Sequence, residues 1–137
     1  MGLPERFRSL LGRTDKSPGA KGERLAEHYL RKQGYKTLTR NLRNRVGEID
    51  LLMLAPDGQA IVFIEVKTAK PNRSSSIPPE HRVGQHKQRK IATLAAKLIA
   101  KHKLKDRPIR FDVVGVDLHD DRDADIRHYP GAFESPW

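Results

Sequence analysis

Two strongly apolar runs, residues 46–54 ("VGEIDLLML") and 60–68 ("AIVFIEVKT"), stand on either side of Pro56-Asp57-Gly58. This is the pattern of a β-hairpin: β-branched and aromatic residues fill two strands, and turn-forming residues separate them. A four-residue loop at 56–59 pairs Ala55 with Ala60, so that opposing residue numbers sum to 115. In that register Asp50 faces Glu65 and Glu48 faces Lys67, with side chains alternating between the two faces of each strand. Val46, Glu48, Asp50 and Leu52 then share one face of the first strand, and Ile61, Phe63, Glu65 and Lys67 share one face of the second. Directly opposed Cβ atoms lie about 5 Å apart. Two carboxylates at that range repel, and one pKa rises unless a cation sits between them.

Around the hairpin the chain of 137 residues has room for one domain with a hydrophobic core. Residues 1–16 are basic and interrupted by Pro and Gly, and are expected to be a poorly ordered lead-in. Ser17-Pro18 is suited to open a helix whose apolar stripe is Leu25, Ala26, Tyr29 and Leu30, with Gly34 as its stop. A short strand follows at 36–43, then the hairpin, then a Pro- and Ser-rich loop at 71–83. A second helix is predicted over 84–104, with Ile91, Leu94, Ala95 and Leu98 as its buried stripe, and a strand over 107–118. The order α, three β, α, β predicts an α/β domain at 17–118, a central mixed sheet flanked by helices. Residues 119–137 form an acidic C-terminal segment, in which a short edge strand and a tail are expected.

The charged positions of the hairpin point to chemistry. A divalent ion held by Asp50 and Glu65, with no Cys in the chain and no His nearby in the sequence, would be a hard one, Mg²⁺ or Mn²⁺. Lys67, two residues on along the same face, would stand where an ammonium can position a nucleophile and offset charge on a phosphodiester transition state. Glu48 is a further ligand or the partner of Lys67. The alternative is an ion pair of Lys67 with Glu48 or Glu65 that fixes register, but buried pairs seldom add net stability. Following the stripe of the second helix back toward its start gives Gln88, Lys87 and Gly84, so polar groups replace apolar ones where that helix would meet the site.

The net charge is +10, and it is distributed unevenly. Residues 70–107 hold eleven basic residues against Glu80 and Asp106, whereas 117–137 hold six acids against Arg122 and Arg127. Lys70, Arg73, Arg82, Lys87, Arg89 and Lys90 are therefore expected to bind nucleic acid, with DNA favoured and RNA not excluded by charge alone. No 18-residue apolar run and no apolar leader occur, so the protein is expected to be cytoplasmic, with no membrane partner. The six histidines lack ligand spacing and are predicted to lie at the surface, and Tyr29 and Phe63 in the core. Neither a phosphate-cradling glycine loop nor a Ser-His-Asp arrangement is present.

Asp50, fourteen intervening residues, and then Glu65-Val66-Lys67 resembles the PD-(D/E)xK signature of the restriction-endonuclease-like superfamily. The wider pattern is more specific. "GxxGExxAxxYLxxxGY" at 19–35, "RNxRxxxGEIDLL" at 40–52, "VFIEVKT" at 62–68, "KQRKI" at 87–91 and "RFDVVGV" at 110–116 look like the bacterial YraN-type family, over about residues 19–118. The resemblance implies a restriction-endonuclease-like fold similar to that of archaeal Holliday-junction resolvases. It makes Asp50 and Glu65 metal ligands, Lys67 the catalytic lysine, Glu23 the acidic residue from the first helix, and Gln88 the polar helix residue near the metal. Ile49 stands where the signature has Pro, and Ala69 where a basic residue is expected, with Lys70 beside it. The function expected is Mg²⁺-dependent endonuclease activity on structured or branched DNA. The alternatives are a nucleic-acid-binding module with a vestigial site and an RNA-binding accessory factor. Resolvase-like relatives also imply a homodimer.

Overall fold

The computed structural model describes residues 18–71 and 83–134. Ser17, the lead-in at 1–16, His81, Arg73 and Arg82 lie outside the described residues. Helix α1 (Pro18–Lys32) is followed by strands β1 (Lys36–Arg43), β2 (Glu48–Leu54) and β3 (Ile61–Ala69), helix α2 (Gln85–Lys101), and strands β4 (Ile109–Asp117) and β5 (Asp125–Phe133). Among the described residues these strands form one five-stranded sheet, in the order β1-β2-β3-β4-β5. Only β3 and β4 run parallel; the other neighbours are antiparallel. The parallel pair needs a crossover, and α2 provides it. The mixed sheet flanked by helices that the sequence predicts is the architecture found.

The hairpin has the expected register: Leu54 pairs with Ile61 and Leu51 with Ile64. Its turn is closed by Ala55 N–H donating to Ala60 O at 2.9 Å and by Gly58 N–H donating to Ala55 O at 2.9 Å. As the middle strand, β3 is buried on both faces over its first six residues, which explains its near-continuous apolar run. On one face Leu52, Ile61, Phe63 and Phe111 pack against Ile91, Leu94, Ala95 and Leu98 of α2. On the other, Leu51, Met53, Val62, Ile64, Val114 and Val116 pack with Ala26 and Leu30 of α1. The stripes read from the sequence thus face the core in both helices, with Leu25 and Tyr29 only partly buried at its border, and Phe63 is core, stacked on Phe111 at 5.5 Å between centroids.

Two features bring α1 close to the sheet. A Cβ at Gly22 would run into the Thr68 side chain, so glycine is what lets the start of the helix rest on the end of β3. Gly34, at φ +99°, turns the chain back into β1.

Strict alternation of faces fails in β1 and β2. Between the pairs Arg40↔Leu51 and Leu42↔Ile49 lie Asn41 and Asp50, and Asn41 has φ +51°. Leu42 and Ile49 pack with the α2-side cluster, although alternation from Arg40 and Leu51 would turn them toward α1. Asparagine tolerates the left-handed region better than most residues, and the change of face falls at the acidic position.

The C-terminal edge strand is longer than expected, nine residues of which six are in register with β4. Pro130 costs it little at an outer edge. Asp112 is fully buried where the β4–β5 register shifts, and it collects Gly131 N–H at 3.0 Å, Arg110 Nε and Nη2 at 2.8 Å, and His128 Nε2 at 2.7 Å. Arg110 also donates to the Tyr35 hydroxyl at 2.6 Å. The surface expectation for histidine therefore fails at two positions. His128 is drawn in by Asp112, and His102 is buried at the end of α2.

Candidate active site

The β2–β3 ladder reaches Leu51↔Ile64, and the next residues in register are Asp50 and Glu65. Asp50 Oδ2 accepts the Val66 N–H at 2.8 Å, so a side chain takes up a β3 amide at the end of the ladder. Both carboxylates are buried, Asp50 at 6 % exposure and Glu65 at 2 %. Glu23 reaches the same place from α1 and shares a hydrogen bond with Asp50. Glu27, one turn further on, belongs to a different cluster, accepting from Arg40 Nε at 2.8 and 2.9 Å.

Burial dominates the electrostatics. It pushes the Asp50 carboxyl up to about 7, against the Val66 hydrogen bond and with added repulsion from Glu23. It also pushes Glu65 up to about 7, with the Asp50 charge raising it further and Lys87 and Lys67 pulling it down. Burial likewise raises Glu23, partly offset by its hydrogen bond to Asp50. Two buried acids that titrate near neutrality, with a third beside them, are poised to take up a cation.

The lysines divide unequally around Glu65. Lys67 Nζ lies 3.7 Å from Glu65 Oε1, whereas Lys87 Nζ lies 2.5 Å from the same oxygen. Lys87 enters from the first turn of α2, in line with Ile91 of the buried stripe. The sequence carried this signal, because the stripe extended to Lys87 as well as Gln88. The structure separates the two: Gln88 Nε2 donates to Val83 O at 3.0 Å, and it is Lys87 that meets the acid. Glu48 does not pair with Lys67. It meets its β1 neighbour Arg43, with Arg43 Nε 3.1 Å from Oε2 in a largely exposed contact. The sequence order of the hairpin does not reveal this competition from β1.

Glu65 Oε2 is buried and has no hydrogen-bond partner among the described residues. Among those residues, no three carboxylate or imidazole groups form a ready-made metal cage. Mg²⁺ does not require one, since it commonly binds through one or two carboxylates and keeps its waters or takes substrate oxygens. The free acceptor at Glu65 and the all-oxygen donor set of Asp50 and Glu65 fit such an ion. Lys70, three residues beyond Lys67, and Arg89 and Lys90, in the helix that carries Lys87, are exposed. A Cβ at Gly47 would lie 3.3 Å from Lys90 Cβ, so the β1–β2 turn abuts α2 and exposed Arg45 joins this basic border. No described helix is long and apolar enough to cross a membrane.

The mixed sheet between two helices, with two buried acids at the end of the central hairpin, is a restriction-endonuclease-like α/β architecture. The model of the "Uncharacterised protein family UPF0102" matches residues 22–116. The chain is 43 % identical over 120 residues to a UPF0102 protein of Geobacter metallireducens, covering 88 % of this chain and 94 % of the relative. It is 40 % identical over 126 residues to one of Trichlorobacter lovleyi, covering 91 % and 96 %. The protein belongs to the UPF0102, or YraN, family.

Proposed function

We propose that the protein is a divalent-metal-dependent endonuclease that hydrolyses phosphodiester bonds in structured or branched DNA. The observation that carries this reading is the unpartnered, buried Glu65 Oε2 beside a second buried carboxylate, at the border of an exposed basic surface. Asp50 and Glu65 would hold Mg²⁺ or Mn²⁺, with Glu23 within reach of Asp50. The ion supplies Lewis-acid charge that polarises a phosphodiester and acidifies water. Lys67, a quarter exposed on the rigid central strand, would donate from Nζ to a phosphate oxygen and offset its developing charge. Arg89 and Lys90 would hold backbone phosphates at the start of α2, where the helix dipole also favours anions.

The test is cleavage of flap, junction and single-stranded DNA with Mg²⁺ or Mn²⁺. Nicking that disappears in Lys67→Ala and Asp50→Asn is expected. Activity unchanged in either variant would overturn the site assignment. Salt-sensitive binding without cleavage and without metal dependence would favour a binding module instead.

A further inference from the structure

We propose that Lys87 is a displaceable counter-cation of the acidic site: its ammonium holds the Glu65 carboxylate while no metal is bound, and gives up that oxygen when a divalent ion enters. The inference rests on the metal-ion reading above and adds to it a residue that senses the ion. Glu65 is 2 % exposed, and a charge so placed needs a partner. Of two ammonium groups on Glu65 Oε1, Lys67 stands at 3.7 Å and Lys87 at 2.5 Å, so Lys87 is the nearer neutralising group.

The two lysines are attached differently. Lys67 projects from the sheet beside its own acid, whereas Lys87 reaches across from the third residue of α2, and its side chain is 36 % exposed. A flexible stem that reaches in from the surface can withdraw to water without disturbing the core. The first turn of α2 contains no acidic residue, and Gly84 caps it without a side-chain hydrogen bond. A lysine there opposes the positive end of the helix dipole, and Glu65, on another element, is the group that compensates it.

A divalent ion on Glu65 removes that compensation and repels the ammonium. Released, Lys87 would stand one turn from exposed Lys90, adding a charge to the surface where phosphates would lie. Metal entry would then strengthen nucleic-acid binding through Lys87, and by linkage nucleic acid would favour metal entry.

The experiment is Mn²⁺ calorimetry on the full chain, with Lys87→Met and Glu65→Gln as comparisons. Lys87→Met is expected to bind Mn²⁺ about tenfold more tightly than wild type, within the range of a single coupled site. Its melting temperature without metal should fall below that of wild type, and saturating Mn²⁺ should close the gap. Equal or weaker affinity in Lys87→Met, with binding abolished in Glu65→Gln, would overturn the counter-cation role and leave the metal site standing. No Mn²⁺ binding to either wild type or Lys87→Met would overturn both. If Lys87→Met fails to fold, acetylation of Lys87 in the wild type, followed by mass spectrometry, gives the answer: labelling should rise on adding Mn²⁺, and unchanged labelling would count against displacement.

Discussion

Asp50 Oδ2 accepts the Val66 amide hydrogen at 2.8 Å, which fixes the carboxylate against the central strand. One Asp50 oxygen therefore has a structural duty, and its orientation relative to Glu65 is set by the backbone rather than by a mobile side-chain rotamer. Asp50→Asn can keep the hydrogen bond through its carbonyl oxygen while losing the charge. It should fold normally, bind Mn²⁺ at least about tenfold more weakly, and cut DNA at a small fraction of the wild-type rate. Calorimetry and a nicking assay on the same preparation check this.

Stability of the metal-free protein should depend on these acids in a defined direction. The folded carboxyls of Asp50 and Glu65 titrate near 7, above their ordinary values of 3.8 and 4.5. Between about pH 4 and pH 7 the folded state holds more protons than the unfolded state, so their contribution to stability falls as pH rises. Asp50→Asn should flatten that decline and be more stable than wild type at pH 8, by on the order of a few kcal/mol. Urea titrations at pH 5 and pH 8 measure it. A wild type that gains stability over this interval relative to the variant would contradict the assignment.

Gly22 sets the distance between α1 and β3. Gly22→Ala should cost about 1–3 kcal/mol through its clash with Thr68, despite the higher helix propensity of alanine. Because Glu23 is the adjacent residue, metal affinity should fall as well. Pairing Gly22→Ala with Thr68→Ala, which removes the Oγ1 that the new Cβ would meet, should recover part of the loss, and a series of chemical denaturation curves would show it.

The Asp112 cluster predicts a purely structural loss. Burial alone would raise the Asp112 carboxyl, but the hydrogen bonds from His128, Arg110 and the Gly131 amide outweigh it and hold the acid below its usual range. Asp112→Ala leaves these donors without their acceptor and should destabilise the fold by about 3–5 kcal/mol. Denaturant midpoints report the loss, and Mn²⁺ affinity of the fraction that stays folded should be unchanged.

On the basic surface, Arg89→Ala and Lys90→Ala should each weaken binding across DNA sequences and reduce the slope of log K against log salt by about one. Fluorescence anisotropy at four or five salt concentrations measures both quantities.

The sheet, its register and both buried helix faces were legible because period and turn chemistry are local. Pro56-Asp57-Gly58 set the pairing of Leu51 with Ile64, and Leu94 and Leu98 marked the core side of α2. Partners between distant segments were not legible. The stripe of α2 led to Lys87 and Gln88 without indicating that Lys87 is the one whose ammonium meets Glu65, and nothing near Glu48 indicates that Arg43 takes it. His128 looked like a surface residue because the acid that draws it inward is sixteen positions away. Asn41, with φ +51°, changed the faces of two strands that simple alternation treats as regular.

Phe133 stacks on Phe111 at 5.1 Å, and Phe111 stacks in turn on Phe63, so three rings join β5 to the strand that carries Glu65 and Lys67. The sheet that carries the candidate site therefore extends through residue 133. A truncation at 118 would unclasp the sheet along its far side and expose Phe111, although every residue assigned to the chemistry would still be present.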